Sequence, residues 1–207
     1  ENIISTAKKI EYINALLQVG FDTIDFGSFV SPKAIPQMAD TKEVIRKLSM
    51  GNSKTKLLAI VANVRGAEEA VIFDEITYLG FPFSISETFQ QRNTNSSIEE
   101  SLERVEAIEE LCIKNNKQLV IYISMGFGNP YGDEYNEEIV MHGVNKITEV
   151  GIKIISMADT VGLETPAQVS SILNKFIQQL SDIECGVHVP KTTTTRKQEM
   201  NESLPGC

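Results

Sequence analysis

The sequence predicts an α/β protein, a (β/α)8 TIM barrel of which about six βα units are present. Short, continuous apolar segments alternate along the chain with segments of helical periodicity, and a polar cluster follows almost every apolar segment. Strictly alternating strands and helices form parallel sheets, and strands that are covered by helices on both faces are apolar throughout. These observations together predict the fold class.

The predicted elements follow one another in a regular order. The apolar, β-rich segments predicted as strands are 21–29, 56–63, 78–86, 118–128, 152–159 and 183–189. The segments with apolar residues at helical spacing, predicted as helices, are 5–19, 32–50, 66–76, 96–116, 136–151 and 165–181. Pro82 weakens the third strand, because proline cannot donate a hydrogen bond to a neighbouring strand.

Several helix boundaries carry their own signals. Thr165 and Pro166 fit the N-cap and the first helical position, where proline is best tolerated. Gly20 and Gly151 are expected to end the helices that precede them. The possible N-caps of two further helices are Asp40 or Thr41, and Ser96 or Ser97 with Glu99 or Glu100 at capping-box spacing.

Alternating strands and helices can form either an open doubly wound sheet or a closed barrel. The G-x-G-x-x-G sequence of dinucleotide-binding sheets is absent, as is a P-loop. The strand ends carry the polar clusters DFGS, ANVRG, SETFQQRN, SMGFGNP, SMADT and HVPKTT. Barrels build their active sites at this end of the strands, so the clusters favour a barrel. We expect one partial barrel domain over residues 1–207, with a divergent tail at 190–207.

Composition limits the function classes. The net charge of −9 repels phosphate backbones, which argues against a nucleic-acid binder but leaves an anionic small molecule possible. Cys112, Cys185 and Cys207 form no CxxC pair, which fits a reducing compartment. We find no apolar run near the roughly 20 residues of a membrane span and no signal-peptide pattern at the N-terminus. We therefore expect a soluble cytoplasmic protein without a membrane partner.

A few polar residues at strand ends are candidates for function. Asp25 lies inside an apolar strand, where it either pairs with a neighbouring loop or lies in the barrel mouth to orient a metal ligand or substrate. Ser156 is expected to point into the barrel, whereas Asp159 could equally cap a helix. His188 ends a strand and is a candidate metal ligand, whereas His142 lies in a predicted helix and is expected to be solvated.

Five stretches together carry a family resemblance: IDFGSFVSPKAIPQMAD, ANVRGAEEA, SETFQQRNTNSSIEESLERV, YISMGFGNPYGD and SMADTVGLETP. The chain resembles the 3-hydroxy-3-methylglutaryl-CoA lyases, within the pyruvate-carboxyltransferase-like metallolyases, over about residues 1–189. The resemblance implies a divalent cation, Mg²⁺ or Mn²⁺, and an acyl-CoA substrate that is cleaved to acetyl-CoA and acetoacetate, as in leucine degradation. We also expect a homo-oligomer, most simply a dimer.

The resemblance also implies roles for individual residues. His188 matches the first histidine of a His-x-His metal pair, and Asp25 matches an acidic residue that supports the metal site. The other implied residues are Ser156 and Asp159 as catalytic, and Ser28, Thr160 and Asn93 or Asn95 as substrate-binding.

Some family motifs have no counterpart in these 207 residues. Pro190 stands where the family has its second metal-binding histidine, and neither the Arg-Asp-Gly strand nor the GGCP loop occurs. Cys207 is too close to His188 in sequence to be the catalytic cysteine of that loop. Three hypotheses follow: an active lyase, a synthase or aldolase of the same metal-barrel group, or a non-catalytic remnant that retains a binding pocket. The SFVSPK stretch favours a lyase over a synthase, and Pro190 favours the remnant.

Overall fold

The computed structural model describes residues 3–162 and 165–188. The helices of this part of the chain are Thr6–Leu17 (α1), Thr41–Arg46 (α2), Val64–Val71 (α3), Glu87–Thr94 (α4), Ile98–Lys114 (α5), Glu137–Glu149 (α6) and Pro166–Gln179 (α7). The strands are Thr23–Ser28 (β1), Lys56–Ile60 (β2), Ile76–Ser84 (β3), Gln118–Ser124 (β4), Ile154–Ala158 (β5) and Glu184–His188 (β6). Each of the six predicted strands therefore exists, with ends that differ by a few residues.

Strand order distinguishes the two possible α/β arrangements. The strands lie in the order β1-β2-β3-β4-β5-β6, so each strand neighbours the one that follows it in sequence. The pairings of β1 with β2, β2 with β3, β4 with β5 and β5 with β6 are parallel. A doubly wound sheet reverses its strand order at a switch point, whereas a barrel does not. The prediction of an incomplete (β/α)8 barrel is confirmed.

Internal contacts divide the described residues into two units, one formed by residues 3–81 and 107–119 and the other by residues 82–106, 120–162 and 165–188. Each unit has its own apolar core. Fully buried side chains of the first unit include Ile45, Leu57, Ile76, Leu79 and Ile108, and those of the second include Phe83, Ile121, Ile123, Ile147 and Phe176. Burying such a side chain contributes about 1.5–3 kcal/mol to stability. A single domain over 1–207 stays a prediction, and residues 190–207 lie outside the described part of the chain.

The predicted helix at 32–50 is wrong in extent. The structure has a 3₁₀ turn at Pro36–Met38 and only the short helix α2 from Thr41. Asp40 precedes α2 but does not cap it with its side chain. The Asp40 carboxylate instead accepts hydrogen bonds from Thr6 Oγ1 (2.7 Å) and Lys9 Nζ (2.6 Å), both in α1. A competing partner in another helix therefore takes the predicted capping residue.

Helix α4 was not expected from the sequence, because its residues are polar and Gln90 alone among them is buried. The amide of Gln90 accepts a hydrogen bond from Ser84 N (2.7 Å) and donates to Ser101 Oγ (2.6 Å). Hydrogen bonds at a buried glutamine, rather than an apolar stripe, thus fix this helix. The predicted helix at 66–76 ends earlier, at Val71.

The remaining boundary signals are confirmed. Ser97 Oγ accepts from Glu100 N (3.0 Å) while Glu100 Oε2 accepts from Ser97 N (2.8 Å), which is a capping box. Thr165 and Gln168 form a second capping box, with Pro166 at the first helical position. Gly20 and Gly151 have left-handed φ angles of 85° and 108° after α1 and α6. Among the residues that the structure describes, none belongs to a helix that could span a membrane.

Candidate active site

Asp25 lies on β1 in the first unit. The residue is exposed, although the strand around it is largely buried. Desolvation by the surrounding protein nevertheless raises the pKa of its carboxyl to about 6, and a hydrogen bond from the backbone N–H of Gly27 only partly opposes this. The Asp25 side chain is thus reached by water and at the same time partly desolvated by neighbouring protein atoms. Such a group can exchange a proton near neutral pH.

A bulge in β1 places Asp25 and Ser28 on one face of the sheet. Asp25 pairs with Leu58 and Ser28 pairs with Ile60, and the register shifts between Asp25 and Gly27. Residues three apart in a regular strand would face opposite sides, so the extra residue brings the two side chains to the same side. The sequence predicted both residues but not the bulge that groups them.

Ser28 is buried and already takes part in the turn that follows β1. Its Oγ accepts a hydrogen bond from Val30 N (3.1 Å), and its backbone N–H donates to Thr41 Oγ1 (3.3 Å). The hydroxyl retains a proton that it can donate. Ser28 also lines a cavity of about 340 Å³, together with Thr41, Lys42 and Arg65. The predicted substrate-binding role of Ser28 stays a prediction, now with a cavity beside it.

His188 ends β6 in the second unit and is exposed. Its backbone carbonyl accepts a hydrogen bond from Asp159 N (3.0 Å). Its imidazole contacts the ring of Tyr122 edge-on, with 5.9 Å between ring centroids and an interplanar angle of 84°. The ring is therefore oriented by an aromatic neighbour while it remains open to solvent.

The strand-end recess, as we call the surface formed by Tyr122, Ser156, Gly186 and His188, lies on one face of β4, β5 and β6. Tyr122 pairs with Ser156 and Ser156 with Gly186, so the three residues form one row across the strands. A Cβ at Gly186 would meet only the Ser156 side chain, at 3.7 Å, so packing does not require glycine there. Ser156 and Gly186 therefore add little side-chain volume to this face, beside the larger Tyr122.

The side chains of Asp159 and Thr160 accept hydrogen bonds from backbone amides near these strand ends. Asp159 is 3% exposed, and its Oδ1 accepts a hydrogen bond from Gly162 N (2.9 Å). It does not cap a helix, because Thr165 is the N-cap of α7. Thr160 Oγ1 accepts a hydrogen bond from the amide of Met125 (3.0 Å), whose φ of 59° is left-handed. That backbone is costly for a non-glycine residue, and the bond from Thr160 helps to hold it.

The two candidate asparagines lie on or just after α4. Asn93 is exposed on the helix, and Asn95 ends it with a left-handed φ of 50°. Asn95 Oδ1 accepts a hydrogen bond from Gln91 Nε2 (3.3 Å). Asn93 is therefore the one of the pair whose side chain is not used by the helix end. His142 is exposed on α6, which confirms the prediction that it is solvated.

Tyr122 is the site residue that the sequence interpretation missed. Its signal was a polar aromatic residue two positions before Ser124 in an otherwise apolar strand. A period of two puts both on the same face.

The described residues do not form a complete cation site. Within residues 3–162 and 165–188, no three or more His, Cys, Asp or Glu side chains converge as metal ligands. His188 supplies one imidazole of the kind that Mn²⁺ accepts, whereas Mg²⁺ prefers oxygen. Pro190 and Cys207 lie outside the described residues.

Parallel strands in sequential order that alternate with helices place the chain in the (β/α)8-barrel class. The HMGL-like family profile matches residues 1–195. The chain therefore belongs to the HMGL-like family.

Individual relatives agree with this assignment. The chain is 34% identical to the mitochondrial hydroxymethylglutaryl-CoA lyase of Macaca fascicularis, over 93% of this chain and 58% of that protein. The crystal structure of the Bacillus subtilis HMG-CoA lyase superposes with a TM-score of 0.88 at 29% identity, covering 98% of this chain and 68% of that one. An Acinetobacter baumannii HMG-CoA lyase, solved with coenzyme A and 3-methylmalate, gives 0.87 at 29%, covering 98% and 66%.

The chain thus spans somewhat more than half the length of the curated mammalian relative. Named relatives include mitochondrial, cytoplasmic and bacterial lyases. The family match therefore leaves the compartment open.

Proposed function

We propose that the protein is a carbon–carbon lyase that cleaves 3-hydroxy-3-methylglutaryl-CoA to acetyl-CoA and acetoacetate. The observation that carries this proposal is the strand-end recess, where the exposed imidazole of His188 contacts Tyr122 and the register places Ser156 and Gly186 on the same face, in a chain of the HMGL-like family. The proposed substrate is that of the named hydroxymethylglutaryl-CoA lyases of Macaca fascicularis and Bacillus subtilis, to which the chain is similar.

The proposed reaction is a retro-Claisen cleavage. A base takes the proton of the tertiary hydroxyl. The carbon–oxygen single bond then becomes the C=O double bond of the acetoacetate ketone. The carbon–carbon bond breaks, its electron pair moves to the acetyl-CoA carbon as an enolate, and a proton then returns to that carbon. General bases work best when their pKa lies near the working pH. Asp25, with a pKa of about 6, has the proton affinity that this chemistry needs.

The other residues bind and orient in this proposal. The Ser156 hydroxyl can donate to a substrate oxygen from the floor of the recess, and the small Gly186 beside it admits the acyl group. Asp159 and Thr160 keep the ends of β4, β5 and β6 in register through their hydrogen bonds to backbone. We assign Asp159 a positioning role rather than the catalytic role that its sequence suggested. Ser28 and Asn93 remain proposed substrate contacts.

We propose His188 as one ligand of a divalent cation, Mg²⁺ or Mn²⁺. Such an ion lowers the pKa of a hydroxyl that it coordinates. Because no three potential ligand side chains converge among the described residues, no step is assigned through it.

The test is acetoacetate formation from 3-hydroxy-3-methylglutaryl-CoA by the folded protein, with added Mg²⁺ or Mn²⁺ and with EDTA. Turnover that requires the cation is the expected result. A folded protein that binds the thioester but releases no acetoacetate would contradict the lyase and leave the binding-module hypothesis. Acyl-CoA condensation under the same conditions would instead identify a synthase.

We further propose a homodimer in a cytoplasmic setting. Light scattering of the purified protein tests the homodimer, and the expected result is a mass twice that of one chain. A chain mass of one protomer at assay concentration would contradict it.

A further inference from the structure

We propose that Asp133 is a positioning residue that fixes helix α4 and thereby places Asn93, an inference that rests on the proposed function. Asp133 lies in the loop between β4 and α6, whereas Asn93 lies in α4, which follows β3. The loop and α4 both belong to the second unit. They leave two consecutive strands at their carboxyl ends, where barrel enzymes bind their substrates.

The Asp133 carboxylate accepts three hydrogen bonds from the beginning of α4. Its Oδ2 accepts from Ser86 Oγ (2.5 Å) and Thr88 N (3.0 Å), and its Oδ1 accepts from Thr88 Oγ1 (2.8 Å). Ser86 is the N-cap of α4, and its Oγ also accepts a hydrogen bond from Phe89 N (3.2 Å). The cap therefore gives its acceptor to the helix and its proton to Asp133. A negative charge at this end also suits the helix dipole.

Helix α4 depends on such polar contacts because its buried surface is small. Gln90 is its one buried residue, and this amide is held by Ser84 N (2.7 Å) and Ser101 Oγ (2.6 Å). Segments with few buried apolar contacts open locally at a low free energy. The glutamine thus holds the middle of α4 while Asp133 holds its beginning, and loss of the carboxylate should loosen that end.

The loop that carries Asp133 is itself fixed. Asn129 Oδ1 accepts from the amides of Tyr131 (3.0 Å) and Asp133 (3.1 Å), and Asn129 Nδ2 donates to Asp133 O (3.0 Å). Tyr135 Oη donates to Gly126 O (3.0 Å), which ties the end of the loop to its beginning. A side chain can set the position of a helix only when its own position is held in this way.

Further contacts join the same two segments. The bond from Ser86 is the largest cause that holds the pKa of this carboxyl below its usual range, the bonds from Thr88 follow, and the nearby charge of Arg92 adds to them. The Arg92 guanidinium carbon also lies 4.8 Å from the centroid of the Tyr131 ring, on which Phe89 stacks at 6.3 Å. These contacts should keep α4 beside the loop when the carboxylate is removed, so the helix shifts rather than detaches.

Asn93 moves with any such shift. It is exposed and lies about two helical turns beyond the N-cap Ser86. Its proposed role is to bind substrate, and loss of a contact that is equal in the ground and transition states raises KM without lowering kcat. A displaced α4 should therefore weaken substrate binding and leave the chemical step nearly unchanged.

The experiment measures turnover of 3-hydroxy-3-methylglutaryl-CoA by variants of the full chain. Asp133→Ala should raise KM about tenfold and keep kcat within about twofold. Asp133→Asn should restore most of KM, because the amide oxygen can accept from Ser86 Oγ and Thr88 N while the amide nitrogen donates to Thr88 Oγ1. Glu134→Ala is the matched control, since Glu134 is exposed in the same loop, and should leave both constants unchanged.

A double-mutant cycle tests whether Asp133 acts through Asn93. Asn93→Ala alone should raise KM about tenfold, and the double variant should raise it no further. A second tenfold rise in the double variant would show independent effects and overturn the inference. If Asp133→Ala does not fold, Thr88→Val replaces it, because this change removes one of the three hydrogen bonds and should raise KM about threefold. An unchanged KM in Thr88→Val would then overturn the inference.

The remaining outcomes separate this inference from the proposed function. Lyase turnover with an unchanged KM in Asp133→Ala, an equal rise in Glu134→Ala, or no rescue by Asp133→Asn would overturn the inference while the lyase stands. If the parent protein shows no turnover, calorimetry gives the Kd of the same thioester in place of KM. The same loss, rescue and non-additivity in Kd would support the inference while the lyase fails, and their absence would overturn it.

Discussion

Asp25 lies inside strand β1 whereas Asp159 directly follows β5, and the structure uses these two aspartates in opposite ways. Asp25 is exposed on the strand, yet desolvation of its carboxyl by the surrounding protein raises its pKa to about 6. Asp159 is 3% exposed and holds a turn through Gly162 N. A carboxylate that is already used by the backbone positions the site, whereas one that is left open can exchange protons. The contrast explains why the two aspartates receive different proposed roles.

The largest expected effect is on the strand-end recess itself. His188→Ala should reduce turnover at least about 100-fold, because loss of a proposed ligand exceeds the losses seen for residues that only support ligands. His142→Ala is the matched control, since His142 is exposed on α6, and should leave turnover unchanged. Steady-state kinetics with saturating cation measures both. Similar turnover in the two variants would remove His188 from the proposed site.

The next effect concerns Asp159. Asp159→Ala should lower the free energy of unfolding by about 2 kcal/mol, because the amide of Gly162 loses its acceptor. Asp159→Asn keeps an oxygen for that amide and should lose less. Urea unfolding of both variants measures the difference. If Asp159→Ala were as stable as the parent but inactive, the catalytic role first suggested by the sequence would be restored.

Replacing Asp25 should raise the free energy of unfolding, whereas replacing Asp159 should lower it, and the Asp25 effect should depend on pH. Its folded pKa of about 6 lies above the unfolded value of 3.8, so the folded state holds the proton more tightly. Stability therefore falls as pH rises from about 4 to about 6, and the cost persists above that range. Asp25→Asn should raise the free energy of unfolding at pH 7.5 by about 1 kcal/mol, discounted because water reaches the carboxyl, and have little effect at pH 4.

Asp22 is the control for the Asp25 prediction, because its pKa is shifted in the opposite direction. Its pKa is lowered, first by a hydrogen bond from Thr23 and then by Lys56, so its carboxylate favours folding above the unfolded pKa. Asp22→Asn should thus be neutral or slightly destabilising at pH 7.5. A gain in both variants would point to general relief of negative charge rather than to burial at Asp25.

The smallest effect on stability is expected at Gly186. Gly186→Ala should change the free energy of unfolding by less than about 0.5 kcal/mol, because the new methyl group meets Ser156 Oγ at an ordinary 3.7 Å. It should nevertheless raise KM by narrowing the recess. Gly126→Ala is the contrasting variant, since its methyl group would lie 2.4 Å from Met157 Cε and 3.1 Å from Ile123 O, and it should destabilise the fold.

Local signals in the sequence were enough for the fold and for part of the site. Apolar runs, capping boxes and the Thr165–Pro166 pair act within a few residues, and the structure confirms them. Signals that depend on distant partners misled the prediction. Asp40 had the right type and place for a cap, yet Thr6 and Lys9 of another helix bind it. Helix α4 has a buried glutamine network and no apolar stripe, so periodicity could not find it.

The candidate site shows the same division. Asp25, Ser156 and His188 were found because polar residues stand out inside apolar strands or at their ends. The bulge that brings Asp25 and Ser28 to one face was not predictable, because register depends on the neighbouring strand. Tyr122 can be recognised as a site residue only from its contact with His188, which lies two strands away in the sheet.

The most direct test of the account is nuclear magnetic resonance of the histidine rings, of which the chain has two, during titration with acetyl-CoA in the presence of Mg²⁺. His142→Ala assigns the signals. The account predicts that the His188 resonances shift with saturation while those of His142 stay in place. Shifts confined to His142, or rings that ignore the thioester while it binds elsewhere, would contradict the claim that substrate occupies the strand-end recess.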